Sequence, residues 1–289
     1  MLADVLALVL LQLAVGLAIC TLLTPSKHLS GGFFALHGSI ASAALLLSWL
    51  VSGNGGFLLR REEGGPTRGA AAALWARPWF AGALFALALA TLVAHTLLAR
   101  AGSPTSLTLS KNLLFISVSC GAALLLSRVR VEPFVSLPGI GPVWLAAGLL
   151  LGALLFGAVV WAMNVGHWYL VSKTLPFGLL VNATEAFAVL ALMRAAFAAA
   201  ALGFVARGSA GEAGEALAAL LDPMRDGFFF WSRVLWGLAA PLVLAPFVVK
   251  TARMKSNQAA TGLLYVGLVF VLVGELLAAY LMRRSGLPV

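Results

Sequence analysis

Charge is what this sequence has least of. Only 10% of its 289 residues are Asp, Glu, Lys or Arg, against about 25% in an ordinary soluble domain. With 62% hydrophobic residues, the chain cannot cover a water-exposed surface and must be solvated by lipid or by its own helices. Cysteine is scarce too. Cys20 and Cys120 stand far apart in apolar runs, with no CxxC or CxxCH. That removes support for a zinc cage, a thioredoxin-like motif and covalent c-type haem; both read as small buried hydrophobes. Walker A, HExxH, GxSxG and a GxGxxG followed by an acid are all missing, so the soluble enzyme classes built on them have no footing. No basic helix or aromatic-plus-basic groove is present, so the net charge of +9 does not point to nucleic acid. It reads as loop cations that orient helices and meet anionic headgroups. The start, MLADVLALVLLQLAVGLAICTLL, lacks a basic n-region and a cleavage site; it is expected to be a retained first span.

What is present is a series of apolar runs. They predict an all-α, polytopic integral membrane helix bundle of about eight transmembrane helices. The spans fall near 2–23, 33–52, 79–99, 109–127, 143–166, 177–205, 227–249 and 259–281, each near the length a bilayer requires. The expectation is one transmembrane domain over 1–289, multi-pass in the cell membrane, with lipid and other subunits of a membrane complex as partners. Residues 53–78 are expected to lie along the interface, with Trp75 and Trp79 as anchors. GEAGEALAALLD, 211–222, reads as an acidic surface helix. Gly148 with Gly152, and Gly267 with Gly274, mark close helix approaches. Pro241 and Pro246 are expected to kink the seventh span.

An even number of spans puts both termini on one face, A. That face carries Arg60, Arg61, Arg68, Arg77, Arg128, Arg130, Arg207, Arg225, Arg283 and Arg284. Face B carries Lys27, Arg100, Lys111, Lys173, Lys250, Arg253 and Lys255. The positive-inside count favours A as cytoplasmic by a small margin.

Threading the spans sends every histidine to face B. His28 lies in the first loop, and His167 ends the fifth span in NVGHWYLVSK, where Trp168 and Tyr169 suit the headgroup layer. His37 and His95 come out at matching depth, about 6 Å below that surface. Asn164, Asn182, Glu185, Gln258 and Thr261 fall in the same half. Two imidazoles at one depth on different helices suit haem b. A quinone site instead needs a proton acceptor near the interface, such as His95, or His167 with Glu185 and Asn182. Plain capping and headgroup contact would use the same residues. NAT at 182–184 matches a glycosylation sequon but falls inside a span. No HxxxH or HxxE pair marks a metal site.

Deeper, toward face A, Arg194, Arg233 and Glu275 share nearly one depth. They read as an intramembrane ion pair, with Glu185 between this layer and the histidines as a step on a proton path from face B. Three functions remain open: a redox subunit binding haem b or a quinone, a proton-coupled transporter, and a structural membrane subunit. In size and span count the chain is similar to quinol-handling anchor subunits of membrane molybdoenzymes, a likeness that no specific residue carries.

Overall fold

The computed structural model describes residues 1–27, 29–52, 78–128, 141–172, 175–176, 178–207 and 212–289. Among them every regular element is a helix, and eight helices are long and apolar enough to cross a bilayer. The chain is an all-α polytopic bundle, as its composition implied. His28 and almost all of the expected interfacial segment at 53–78 lie outside the described residues. The chain divides into two compact units, Met1–Val131 and Glu132–Val289.

The first unit holds α1 (Leu2–Leu23), α2 (Gly31–Val51), α3 (Pro78–Ala101) and α4 (Pro104–Ser127). Each packs on the next, and α4 closes back onto α1. These helices are apolar on all sides, so amphipathicity does not set their contacts. Small residues and buried hydroxyls do. Gly31 sits against the main chain of α3 at Ala99, where a Cβ would strike the carbonyl oxygen. The Ser48 hydroxyl donates to the Ala7 carbonyl at 2.7 Å, and Ser117 to Ala88 at 3.0 Å. Those bonds tie α2 to α1 and α4 to α3. Phe33, Phe34, Leu92, Leu114 and Leu124 fill the interior. The start of α4 is fixed locally: Pro104 occupies the first turn and Ser103 accepts from the Ser106 amide.

The second unit holds α5 (Gly141–Val171), α6 (Gly178–Arg207), the short α7 (Glu212–Leu221), α8 (Pro223–Arg253) and α9 (Asn257–Ser285). Helix α5 packs on α6 and α9, and α8 packs on the same two from the other side. Near the expected acidic surface helix, α7 buries Leu220 against Val205, Phe230 and Leu281. Gly286 ends α9 in the left-handed conformation, φ 72°. Leu287 and Val289 then turn back into that same cluster.

Four helices outrun the expected spans by four or five residues at an end: α4 begins at Pro104, α5 continues to Val171, α8 to Arg253 and α9 to Ser285. A hydropathy pattern stops at the first polar residues, whereas helical hydrogen bonding persists through the headgroup layer. Helix α8 is not a regular α-helix throughout. Residues Arg233–Ala239 form a widened π-helical stretch directly before Pro241. Pro241 has no N–H to offer the Gly237 carbonyl four residues back, and the Arg233 Nη1 donates to that oxygen at 3.1 Å instead. The expected disruption at Pro241 thus takes the form of a π-turn repaired by a side chain.

Candidate functional site

In the first unit, α2 and α3 bring His37 and His95 together. Both rings are buried. The His37 Nδ1 donates to the Phe33 carbonyl at 2.8 Å, one helical turn back, and its ring lies 4.1 Å from that of Phe33. The His95 Nδ1 meets Ser110 of α4 twice, 3.0 Å from its carbonyl oxygen and 2.7 Å from its hydroxyl. Nε2 of His95 is buried without a hydrogen-bond partner. The reason for the close fit is Gly38. A Cβ there would lie 2.8 Å from the His95 ring and would collide with the Thr96 hydroxyl. Gly38 therefore lets α2 and α3 approach closely beside the two histidines.

In the second unit, α6 and α8 diverge to form a cleft of about 610 Å³. Its walls are Ala188 and Leu192 from α6, and Leu242, Ala245, Pro246 and Val249 from α8. Lys250, Arg253 and Met254 sit at its mouth, where α8 ends. Pro246 shapes the cleft in two ways. Its ring takes the place of a longer side chain, and it brings no N–H to the carbonyl of Leu242. Arg253 is paired with Glu185 of α6, Nη2 to Oε1 at 2.6 Å and Nε to the same oxygen at 3.3 Å. Both are substantially exposed. Lys250 is exposed, with no side-chain partner among the described residues. The polar end of the cleft therefore offers a carboxylate, a guanidinium and an ammonium beside an apolar trough.

Deeper in the same unit lies a buried charge cluster. Glu275 of α9 accepts from Arg194 of α6, Nε to Oε1 at 3.1 Å and Nη2 to Oε2 at 3.4 Å. It also accepts from Arg233 of α8, Nη2 to Oε1 at 3.2 Å. All three side chains are buried. The Arg194 Nη2 also donates to a main-chain oxygen of Val289 at 3.2 Å. Gly237 and Gly274 admit the Arg233 guanidinium between α8 and α9.

The residues singled out in the sequence separate into these places. His37 and His95 belong to the first unit; His167, Asn182, Glu185 and the Arg–Glu cluster belong to the second. His167 and Asn182 are exposed, and Asn164 is buried. Glu185 is engaged with Arg253 at the end of α8, and Glu275 is the acid that Arg194 and Arg233 contact among the described residues. The cations of the cleft mouth, Lys250 and Arg253, were read in the sequence as loop charges. The signal that finds them is the helical continuation of α8 past Val249, which carries both to the rim beside the start of α6. Among the described residues no three His, Cys, Asp or Glu side chains converge as metal ligands. No family model matches the chain, and no curated protein or solved structure is similar to it at a significant level.

Proposed function

We propose that the chain is an integral membrane subunit of an electron-transfer complex, and that it takes a quinone into the cleft between α6 and α8. The observation that carries this reading is the cleft itself: about 610 Å³ of apolar trough ending at Lys250, Arg253 and Glu185. That volume lies in the range of ligand pockets, about 300–1,000 Å³. A quinone matches both halves. Its isoprenoid tail replaces lipid along Leu192, Leu242 and Val249. Its carbonyl oxygen takes donors from Lys250 and Arg253, whose charge favours the reduced, anionic head. On oxidation of the quinol, two electrons pass to a redox centre of a partner subunit and two protons leave, one to Glu185 at the exposed rim and one to solvent there. The quinone form of the redox reading is the one that this cleft supports.

The test is quinone content. Chain purified from its native membrane is expected to retain quinone extractable by solvent, and to show no haem band in a reduced-minus-oxidised spectrum. Ala188→Trp fills the trough without touching the charged rim and is expected to lower bound quinone at least tenfold. Equal quinone in the wild type and in Ala188→Trp would remove the cleft from consideration.

A second reading, proton-coupled transport, is favoured by the buried Arg194–Glu275–Arg233 cluster and the π-turn beside it, since ionisable groups inside a span mark ion paths in many transporters. It predicts uptake into proteoliposomes that is abolished by Glu275→Gln.

A further inference from the structure

His37 is 1% exposed and His95 0%, so the first unit gives neither ring access to water. In each ring Nδ1 faces a carbonyl oxygen, that of Phe33 at 2.8 Å and that of Ser110 at 3.0 Å. A carbonyl only accepts, so both rings carry their hydrogen on Nδ1. The Ser110 hydroxyl, 2.7 Å from the His95 Nδ1, donates to the His95 carbonyl at 3.2 Å. A second proton therefore has one place to go on each ring, Nε2. In His95 that atom is buried without a partner. The Phe34 carbonyl lies near the same ring; it can accept an N–H but cannot balance a charge.

Nothing at this end of the unit balances one either. Among the described residues, α1 carries Asp4 and Cys20, α2 His37, α3 His95 and Arg100, and α4 Lys111 and Cys120. Lys27 lies between α1 and α2, and Arg128 follows α4. Asp4 is the single acid among them, and it sits at the opposite end of α1, 3.4 Å from the Met1 amine. The charged groups at the histidine end are cations: Lys27, Arg100 and Lys111. Lys111 follows Ser110 directly; its Nζ donates to the Thr24 carbonyl at 2.8 Å and lies 5.6 Å from the centre of the Phe34 ring. A buried ion without a counter-charge is strongly unfavourable. Gly38 packs against the His95 ring and the Thr96 hydroxyl with no room to spare, so water reaches a charged ring only if α2 and α3 part.

We propose that the His37–His95 region is an acid-released clasp: α2 and α3 stay packed at Gly38 while neither ring carries a second proton, and separate at this end when one does. The clasp is independent of whether the cleft of the second unit carries a quinone. Once the helices part, each imidazole meets water and titrates near about 6.5. The closed form is therefore at full strength above that pH and is weakened below it. Between about pH 7.5 and about pH 5.5 the shift toward the open form is about tenfold per ring.

Amide exchange on the full chain in detergent, read by mass spectrometry and corrected for the intrinsic effect of pH, tests this without a variant. Protection over residues 33–41 of α2 and 92–99 of α3 should fall about tenfold or more across that interval, while α5 and α6 keep theirs. His37→Asn combined with His95→Asn puts an amide nitrogen where each Nδ1 stood and removes both titrations. Its protection in α2 and α3 should be the same at the two pH values. His167→Asn, which removes an exposed ring of the second unit, should keep the wild-type response. If the double variant does not fold, spectra of wild-type protein labelled in its histidines decide instead: two rings should gain charge over the same interval in which α2 and α3 lose protection. Unchanged protection in the wild type, an equal loss in the double variant, a loss spread evenly over both units, or opening while those rings stay uncharged would each overturn the clasp.

Discussion

Arg233 hydrogen-bonds the carbonyl of Gly237 at 3.1 Å, one turn along its own helix, because Pro241 cannot. A backbone acceptor unmade in a membrane is unfavourable by several kcal/mol, so Arg233 has two roles, one toward Gly237 and one toward Glu275. This predicts a non-additive pair. Arg233→Leu should destabilise strongly, since it strips both acceptors. Arg233→Leu with Pro241→Ala restores an N–H to Gly237 and should recover about 1–3 kcal/mol of that loss. A four-variant unfolding cycle in detergent measures the coupling. Strict additivity would mean that the Gly237 carbonyl never depended on Arg233.

Gly274 faces Gly237 across the α8–α9 contact, where a Cβ on Gly274 would fall 2.5 Å from the Gly237 Cα. Both partners there are backbone, so neither can yield. Gly274→Ala is expected to cost at least about 1–3 kcal/mol, as overpacking does. Gly262, in the same helix, has nothing within 4 Å of where an added methyl would sit. There alanine should be neutral or stabilising by about 0.5–1 kcal/mol. Midpoints of thermal unfolding for the two variants should move in opposite directions or differ by several degrees.

Glu275 and Glu185 each pair with arginine, yet the pairs differ in surroundings. Glu275 is buried against two guanidinium groups, whereas Glu185 and Arg253 are largely exposed. Removing one member of a buried ion pair costs about 3–5 kcal/mol, against about 0–1 kcal/mol for an exposed pair. Glu275→Gln should therefore lower the yield of folded protein sharply. Glu185→Gln should leave folding intact and, under the quinone reading, slow turnover. Equal folding yields for both would contradict the buried cluster.

The bundle was legible in the sequence because bilayer thickness fixes the length of an apolar run, and charge and proline mark its ends. The depth of Arg194, Arg233 and Glu275 was legible for the same reason: rise per residue is constant. Azimuth was not. Depth alone set Glu185 between the histidines and the arginines, whereas it faces the end of α8. Nothing in an all-apolar helix says which way a residue points, since neighbours are chosen by single close approaches such as Gly38 against Thr96. The π-turn was hidden for a related reason. A proline announces a missing N–H, but only the packed helix shows which side chain supplies the replacement.

Tyr169 illustrates the same limit at the surface and closes the set of predictions. Its place in NVGHWYLVSK reads as a headgroup anchor, and its hydroxyl donates to the Pro176 carbonyl while accepting from the Leu180 amide at 3.3 Å. It thus pins the connection between α5 and α6, and it satisfies an N–H in the first turn of α6 that has no helical acceptor. The site is partly open, so water can replace the hydroxyl. Tyr169→Phe should therefore cost only about 0.5–1.5 kcal/mol. The effect should be local: amide exchange at Leu180 should speed up by about threefold to tenfold while the global unfolding midpoint moves little. Unchanged exchange at Leu180 would mean that the turn is held by other contacts, and a large global loss would mean that the α5–α6 connection is needed for the whole second unit to fold.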